Sequence, residues 1–106
     1  MNTDDLQTDH MIELAETFGL LSDPTRLSIV VACMEQERAA GDVAEKLGLS
    51  PSLTSHHLRL LRSARILKSE RRGKQVFYAM ADACVDRVLN IMIDHIFTHG
   101  AESTDN

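Results

Sequence analysis

Between residues 6 and 21, apolar side chains recur at steps of three and four: Met11, Leu14, Ala15, Phe18 and Leu21. That spacing predicts one apolar stripe on a helix, and a helix so short needs a partner surface. Ser22-Asp23-Pro24 starts a second helix, with Asp23 placed to cap and Pro24 at the first helical position, where its missing N–H costs nothing. This helix, through about Met34, is apolar almost all round, so Leu27, Ile29, Val30, Val31 and Met34 are expected at the buried centre.

After the polar break at Glu35-Gln-Glu-Arg38 comes a short helix, Ala40 to Leu47, ended by Gly48, a residue suited to the left-handed C′ position. Leu49-Ser50-Pro51 then opens another helix at once, again with a hydroxyl cap followed by proline. Two helices joined so tightly form a helix-turn-helix over residues 40–64. The second, about Pro51 to Ala64, is expected to bury Leu53, Leu58 and Leu61 and to turn Ser52, Thr54, Ser55, His56 and Arg59 outward. Small hydroxyls near its amino end allow close approach to base edges and phosphates, and that end favours anions.

Residues 66–71 and 74–79 flank Arg72-Gly73, a β-hairpin signal whose tip, Arg71-Arg72-Gly73-Lys74, holds three cations in four residues. A helix-turn-helix followed by a basic hairpin is the winged variant, in which the hairpin reaches backbone or minor groove beside the recognition helix. A final helix, about Asp82 to Thr98, carries Val85, Val88, Leu89, Met92, Ile93 and Ile96, a stripe too long for so small a core to cover alone. Gly100 and the polar residues to Asn106 are expected to end it. The predicted fold is mainly α with a small β-hairpin: five helices and a two-stranded wing in one domain spanning 1–106. Residues 1–5 and 100–106 are expected as flexible tails.

Composition limits the alternatives. The 106 residues suffice for one core and not two. The four aromatic residues, Phe18, Phe77, Tyr78 and Phe97, are too few for an aromatic-rich β-sandwich or a base-stacking surface. The longest apolar run, Ile29 to Met34, is six residues and the amino terminus is acidic, so neither a membrane span nor an export signal is expected. With only Cys33 and Cys84 there is no disulfide framework, and a cytoplasmic setting is expected. No nucleophile-base pair, phosphate loop or paired catalytic carboxylates appear, which counts against an enzyme.

The net charge of −5 discourages a nucleic-acid partner until its distribution is considered. Residues 50–78 hold seven cations (Arg59, Arg62, Arg65, Lys68, Arg71, Arg72, Lys74) against Glu70 alone, a net +6. The rest of the chain holds four cations and fifteen carboxylates, a net −11. A basic module in an acidic scaffold is the asymmetry expected of a protein that meets a polyanion with one face. The candidate DNA-binding set is Ser52, Leu53, Ser55, His56 and Arg59 with Arg71, Arg72 and Lys74; Leu53 is included although its spacing also fits the buried stripe. The plain alternative for Ser52 and Ser55 is helix-start chemistry, and for His56 packing against the wing.

Several motifs in order carry a resemblance: Leu21-Ser-Asp-Pro-Thr-Arg-Leu27; Gly41-Asp-Val-Ala44 with Leu47-Gly-Leu-Ser50; Ser52, Ser55-His56, Leu58 and Leu61; and Arg72-Gly73-Lys74 with Phe77-Tyr78. Over roughly residues 12 to 99 the chain resembles the ArsR/SmtB family of small winged-helix repressors. The resemblance implies a homodimer built from residues 6–21 and 82–99, bound to an operator until an inducer arrives. The operator would be a double-stranded, imperfect inverted repeat. It also implies DNA contacts at Pro51, Ser52, Ser55 and His56, although Pro51 stands where a polar residue is often found.

The family binds metals at several separate places. The cysteine-bearing motif of one site reads Arg38-Ala39-Ala40-Gly41-Asp42 here, without thiolates, which excludes arsenite or cadmium at that position. The site on the last helices of the dimer corresponds to Asp82, Cys84, His95 and His99, with Cys84 in place of a histidine, Thr98 where a ligand is usual and His99 one position late. These four give a mixed oxygen, sulfur and nitrogen set acceptable to zinc, cobalt or cadmium, with no organic cofactor expected. The plain alternatives are Asp82 as a helix cap, Cys84 as a small hydrophobe at the dimer seam and His99 in a frayed end.

The sequence therefore predicts a repressor that releases its operator on binding a divalent transition metal. One alternative senses oxidant or reactive sulfur through Cys84, a thiol near a helix amino end. Cys33 in that scheme is plain core. Another alternative is a winged helix that binds an acidic protein partner and no DNA.

Overall fold

A computed structural model describes residues 7 to 104, with side chains through Thr98. The amino-terminal tail expected at residues 1–5, the final residues 105–106 and the side chain of His99 lie outside the described residues. The order is α1 (Thr8–Leu21), α2 (Pro24–Glu35), β1 (Arg38–Ala39), α3 (Ala40–Leu47), α4 (Pro51–Ser63), β2 (Leu67–Arg72), β3 (Gln75–Met80) and α5 (Ala83–Thr104).

Local chemistry accounts for several helix boundaries. Asp23 accepts the Arg26 N–H at 2.9 Å and caps α2 ahead of Pro24. Ser50 does the same for α4, its hydroxyl accepting the Leu53 N–H at 3.1 Å. Gly48, at φ +66°, is the left-handed residue that ends α3 and allows the tight turn into α4. Asp82 caps α5 by accepting the Cys84 N–H at 2.8 Å, so the helix proper begins one residue after the expected start. At its other end α5 runs to Thr104, past the expected stop near Thr98. A glycine inside a helix costs only about 1 kcal/mol, and Gly100 does not break this one.

The β structure is larger than the two-stranded wing expected. Arg38–Ala39 pairs with β3, Arg38 opposite Tyr78 and Ala39 opposite Phe77, giving an antiparallel sheet of order β1-β3-β2. A two-residue strand is too short to show periodicity, and the polar stretch before it reads as a loop. The hairpin strands also lie one residue later than expected, because the turn is Gly73-Lys74, with Gly73 at φ +63°, between the paired Arg72 and Gln75.

The core gathers Ile29, Val30 and Cys33 of α2, Val43 of α3, Leu58 and Leu61 of α4, and Ile66, Leu67 and Tyr78 around the sheet. Leu27, Val31 and Met34, expected at the centre with Ile29 and Val30, are only half-buried. The helix is apolar all round, yet one face alone meets α3, α4 and the sheet. Two side-chain bonds join elements to this body: the Arg26 Nε–H donates to Leu20 O at 2.9 Å, and the Arg38 Nε–H donates to Ala32 O at 2.7 Å.

Candidate nucleic-acid interface and inducer residues

Packing divides α4 lengthwise. Thr54, His57, Leu58 and Leu61 are buried, the i, i+3, i+4, i+7 pattern of a single face. Thr54, outward on the sequence reading, is instead 1 % exposed, and its hydroxyl donates to Ser50 O at 2.9 Å. Leu53, which the apolar spacing assigns to the buried stripe, lies one residue off that face and is 42 % exposed. Ser52, Leu53, His56 and Arg59 therefore share the exposed side, with Ser55 half-buried at its margin.

His57 was missed in the sequence. Its spacing from Thr54 and Leu61 places it on the buried face, but an imidazole in a polar stretch gives no hydrophobic signal. Its Nδ1 is buried without a hydrogen-bond partner. Burial holds its pKa below the ordinary histidine value, helped by the positive charge of Arg26 and of His56 and opposed by Asp23. The His56 ring, 5.8 Å away centre to centre, stays on the exposed side.

The wing cations fall into two groups. Arg71 and Lys74 are exposed, and their side chains make no hydrogen bond or ion pair among the described residues. Arg72 is held by carboxylates: it donates to both oxygens of Glu37 at 2.6 and 2.9 Å and to both of Glu70 at 3.3 and 3.1 Å. Its guanidinium carbon also lies 4.6 Å from the centre of the Phe77 ring. These bonds raise the Arg72 pKa further and hold the Glu70 carboxyl below its usual range.

The candidate inducer residues lie on one helix. Asp82 uses one carboxylate oxygen to cap α5, while Cys84 and His95 are both exposed. Eleven residues of helix separate Cys84 from His95, about 16 Å at 1.5 Å per residue. No set of three His, Cys, Asp or Glu side chains able to hold a metal is assembled within the chain among the described residues. Cys84 also lines an apolar cleft between α1 and α5 with Leu14, Thr17, Phe18, Leu21, Val85 and Val88. The two thiols are unpaired: Cys33 lies in the core, where burial pushes its pKa up to about 11 against the lowering charge of Arg38. Among the described residues no helix is long and apolar enough to cross a membrane.

A capped helix-turn-helix with a three-stranded sheet and a basic hairpin defines a winged helix-turn-helix protein. The family profile described as "Bacterial regulatory protein, arsR family" matches residues 23–69. The chain is 37 % identical over 91 residues to a protein named transcriptional repressor SmtB homolog from Synechocystis sp., covering 86 % of this chain and 69 % of the relative. It is 35 % identical over 99 residues to the cadmium resistance transcriptional regulatory protein CadC homolog of Staphylococcus aureus, covering 92 % and 78 %. Among solved structures, the antimony-specific transcriptional repressor AntR superposes with a TM-score of 0.80 at 26 % identity, over 95 % of this chain and 92 % of that one. The chain belongs to the ArsR/SmtB family of winged helix-turn-helix transcriptional repressors, which are DNA-binding regulators and not enzymes.

Proposed function

We propose that the chain is a homodimeric, cytoplasmic repressor that grips an inverted-repeat operator through α4 and the wing and releases it when a transition metal ion binds between two copies of α5. The observation that carries the DNA half is the exposed side of α4, with Ser52, Leu53, His56 and Arg59, in a chain that also offers the unpaired cations Arg71 and Lys74 on its wing. Hydroxyls and a histidine reach base edges, while cations supply salt-dependent phosphate affinity. The dimer half is supported by α1 and α5, which leave the large apolar side chains Leu14, Phe18, Val88, Ile91, Met92 and Ile96 exposed, the kind of surface that marks an association site.

The inducer half is supported by donor chemistry and by relatives named for cadmium resistance and for antimony. Asp82, with one oxygen left beyond its cap, and Cys84 sit at one end of α5; His95 and His99 sit toward the other. One helix does not bring them together, and in the proposed dimer a second α5 running antiparallel closes the set. Oxygen, thiolate and two imidazoles suit tetrahedral zinc, cobalt or cadmium. The bound ion would supply a fixed cross-link between the two helices, and the shift it selects would reach α4 through the shared core.

Cys84 supports a second reading, because an exposed thiol in an apolar cleft is open to oxidants or sulfane sulfur. One experiment separates the two. An operator is selected from random DNA, and zinc, cobalt, cadmium and then polysulfide are titrated into its complex with wild type, Cys84→Ser and His95→Ala while anisotropy is followed. The metal reading expects release by metal in wild type and its loss in His95→Ala. Release by polysulfide alone, abolished in Cys84→Ser, would establish the thiol reading instead. Failure to select any operator would leave a winged helix that binds protein.

A further inference from the structure

The Arg72 guanidinium forms a double fork, two bonds to Glu37 and two to Glu70, over the face of Phe77. Glu37 is 35 residues away in sequence and immediately precedes β1, so the fork ties the end of β2 next to the turn back to the segment leaving α2. β1 contributes only two register pairs to β3, a narrow attachment for a hairpin of two six-residue strands. Core packing of Leu67, Tyr78 and Met80 also seats the base of the hairpin; the fork adds an attachment next to the turn, and a planar guanidinium holding two carboxylates fixes direction as well as distance.

Pleating separates the wing arginines. Lys68, Glu70 and Arg72 lie on one face of β2, while Leu67, Ser69 and Arg71 lie on the other. The second face carries Leu67 and, from β3, Val76 and Tyr78 into the core. Arg71 thus leaves the sheet on the side opposite the fork, and Lys74 sits in the turn.

We propose that Arg72 is a positioning residue for operator binding: with Glu37, Glu70 and Phe77 it fixes the angle of the wing, and Arg71 and Lys74 are the wing cations that meet phosphate. This rests on the operator-binding reading. A masked phosphate contact, with Glu37 and Glu70 covering an Arg72 that DNA must pull away, uses the same bonds with the opposite consequence. Neutralising a carboxylate that merely masks a cation tightens DNA binding, because repulsion from phosphate falls. Neutralising one that orients the wing weakens it.

The test compares wild type, Glu37→Gln, Arg72→Gln and Arg71→Gln on one selected operator across a salt series, with thermal unfolding and hydrogen exchange of the wing amides on the free proteins. Glu37→Gln and Arg72→Gln should each weaken binding by about threefold to tenfold, the scale of a surface ion-pair network. Both should leave the salt slope unchanged and speed exchange in residues 68–79. Arg71→Gln should lower the slope by about 0.9, the signature of one lost phosphate contact, without changing exchange. Tighter or unchanged binding by Glu37→Gln, or a slope lowered by about 0.9 in Arg72→Gln, overturns the assignment. A wild-type protein that selects no operator defeats the operator reading instead, and the exchange rates still report whether the fork holds the wing.

Discussion

Helices α4 and α5 are both amphipathic, and the chain treats them differently. In α4 the face formed by Thr54, His57, Leu58 and Leu61 is covered by the chain's own core, and what remains outside is mostly polar. In α5, Val85 and Leu89 reach that core while Val88, Ile91, Met92 and Ile96 stay exposed. An apolar face covered within the chain stabilises the monomer; an uncovered one stores free energy for association. The division matches the proposed labour: α4 is held rigidly by its back so that its front can read a ligand, and α5 is completed by a second copy.

The widest gap between the two helices should appear in paired truncations. Leu58→Ala, at a fully buried position, should lower unfolding free energy by about 2–5 kcal/mol in urea denaturation. Ile91→Asp, at a position 66 % exposed in the single chain, should leave the helical circular dichroism intact while weakening self-association by about a hundredfold or more in sedimentation, since the carboxylate would be buried unpaired. Equal loss of fold in both variants would erase the distinction.

A smaller effect is expected at the start of α4. Ser50→Ala removes the hydroxyl that accepts the Leu53 N–H and should cost about 1 kcal/mol by urea denaturation, with Ser50→Gly costing less.

The smallest is a pH effect centred on His57. Its folded pKa lies below the ordinary value, so as pH falls through about 6.5 the unfolded chain takes up a proton that the folded chain resists. The stability contributed by neutral His57 is present above that range and declines as pH drops toward 5. His57→Gln should therefore show a shallower fall in urea midpoint between pH 7 and 5 than wild type; identical slopes would mean that this imidazole is not the titrating group.

Much of this was legible in local chemistry. Asp23-Pro24 and Ser50-Pro51 mark two helix starts because a cap and a proline act within four residues, and Gly48 marks a helix end because one left-handed residue is needed there. The candidate site was legible in part. Ser52, His56 and Arg59 are outward as expected, but Thr54 and Leu53 exchange places, because a stripe anchored on Leu58 and Leu61 extends back to Thr54 and not to its neighbour. His57 escaped notice because spacing alone, without hydrophobicity, marked it as buried.

The sequence by itself determined the starts of α2 and α4, the end of α3, the turn at Gly73, the basic stretch and the family, since each depends on residues close in the chain or on motifs in fixed order. Only the tertiary structure decided which of two adjacent arginines in that stretch is committed. Arg71 and Arg72 are equivalent as composition, each adding one positive charge to the +6 of the basic module. Strand pleat sends them to opposite faces, and β1 pairing with β3 brings Glu37 onto one face from 35 residues away. Local propensity carries no information about a carboxylate delivered by sheet register.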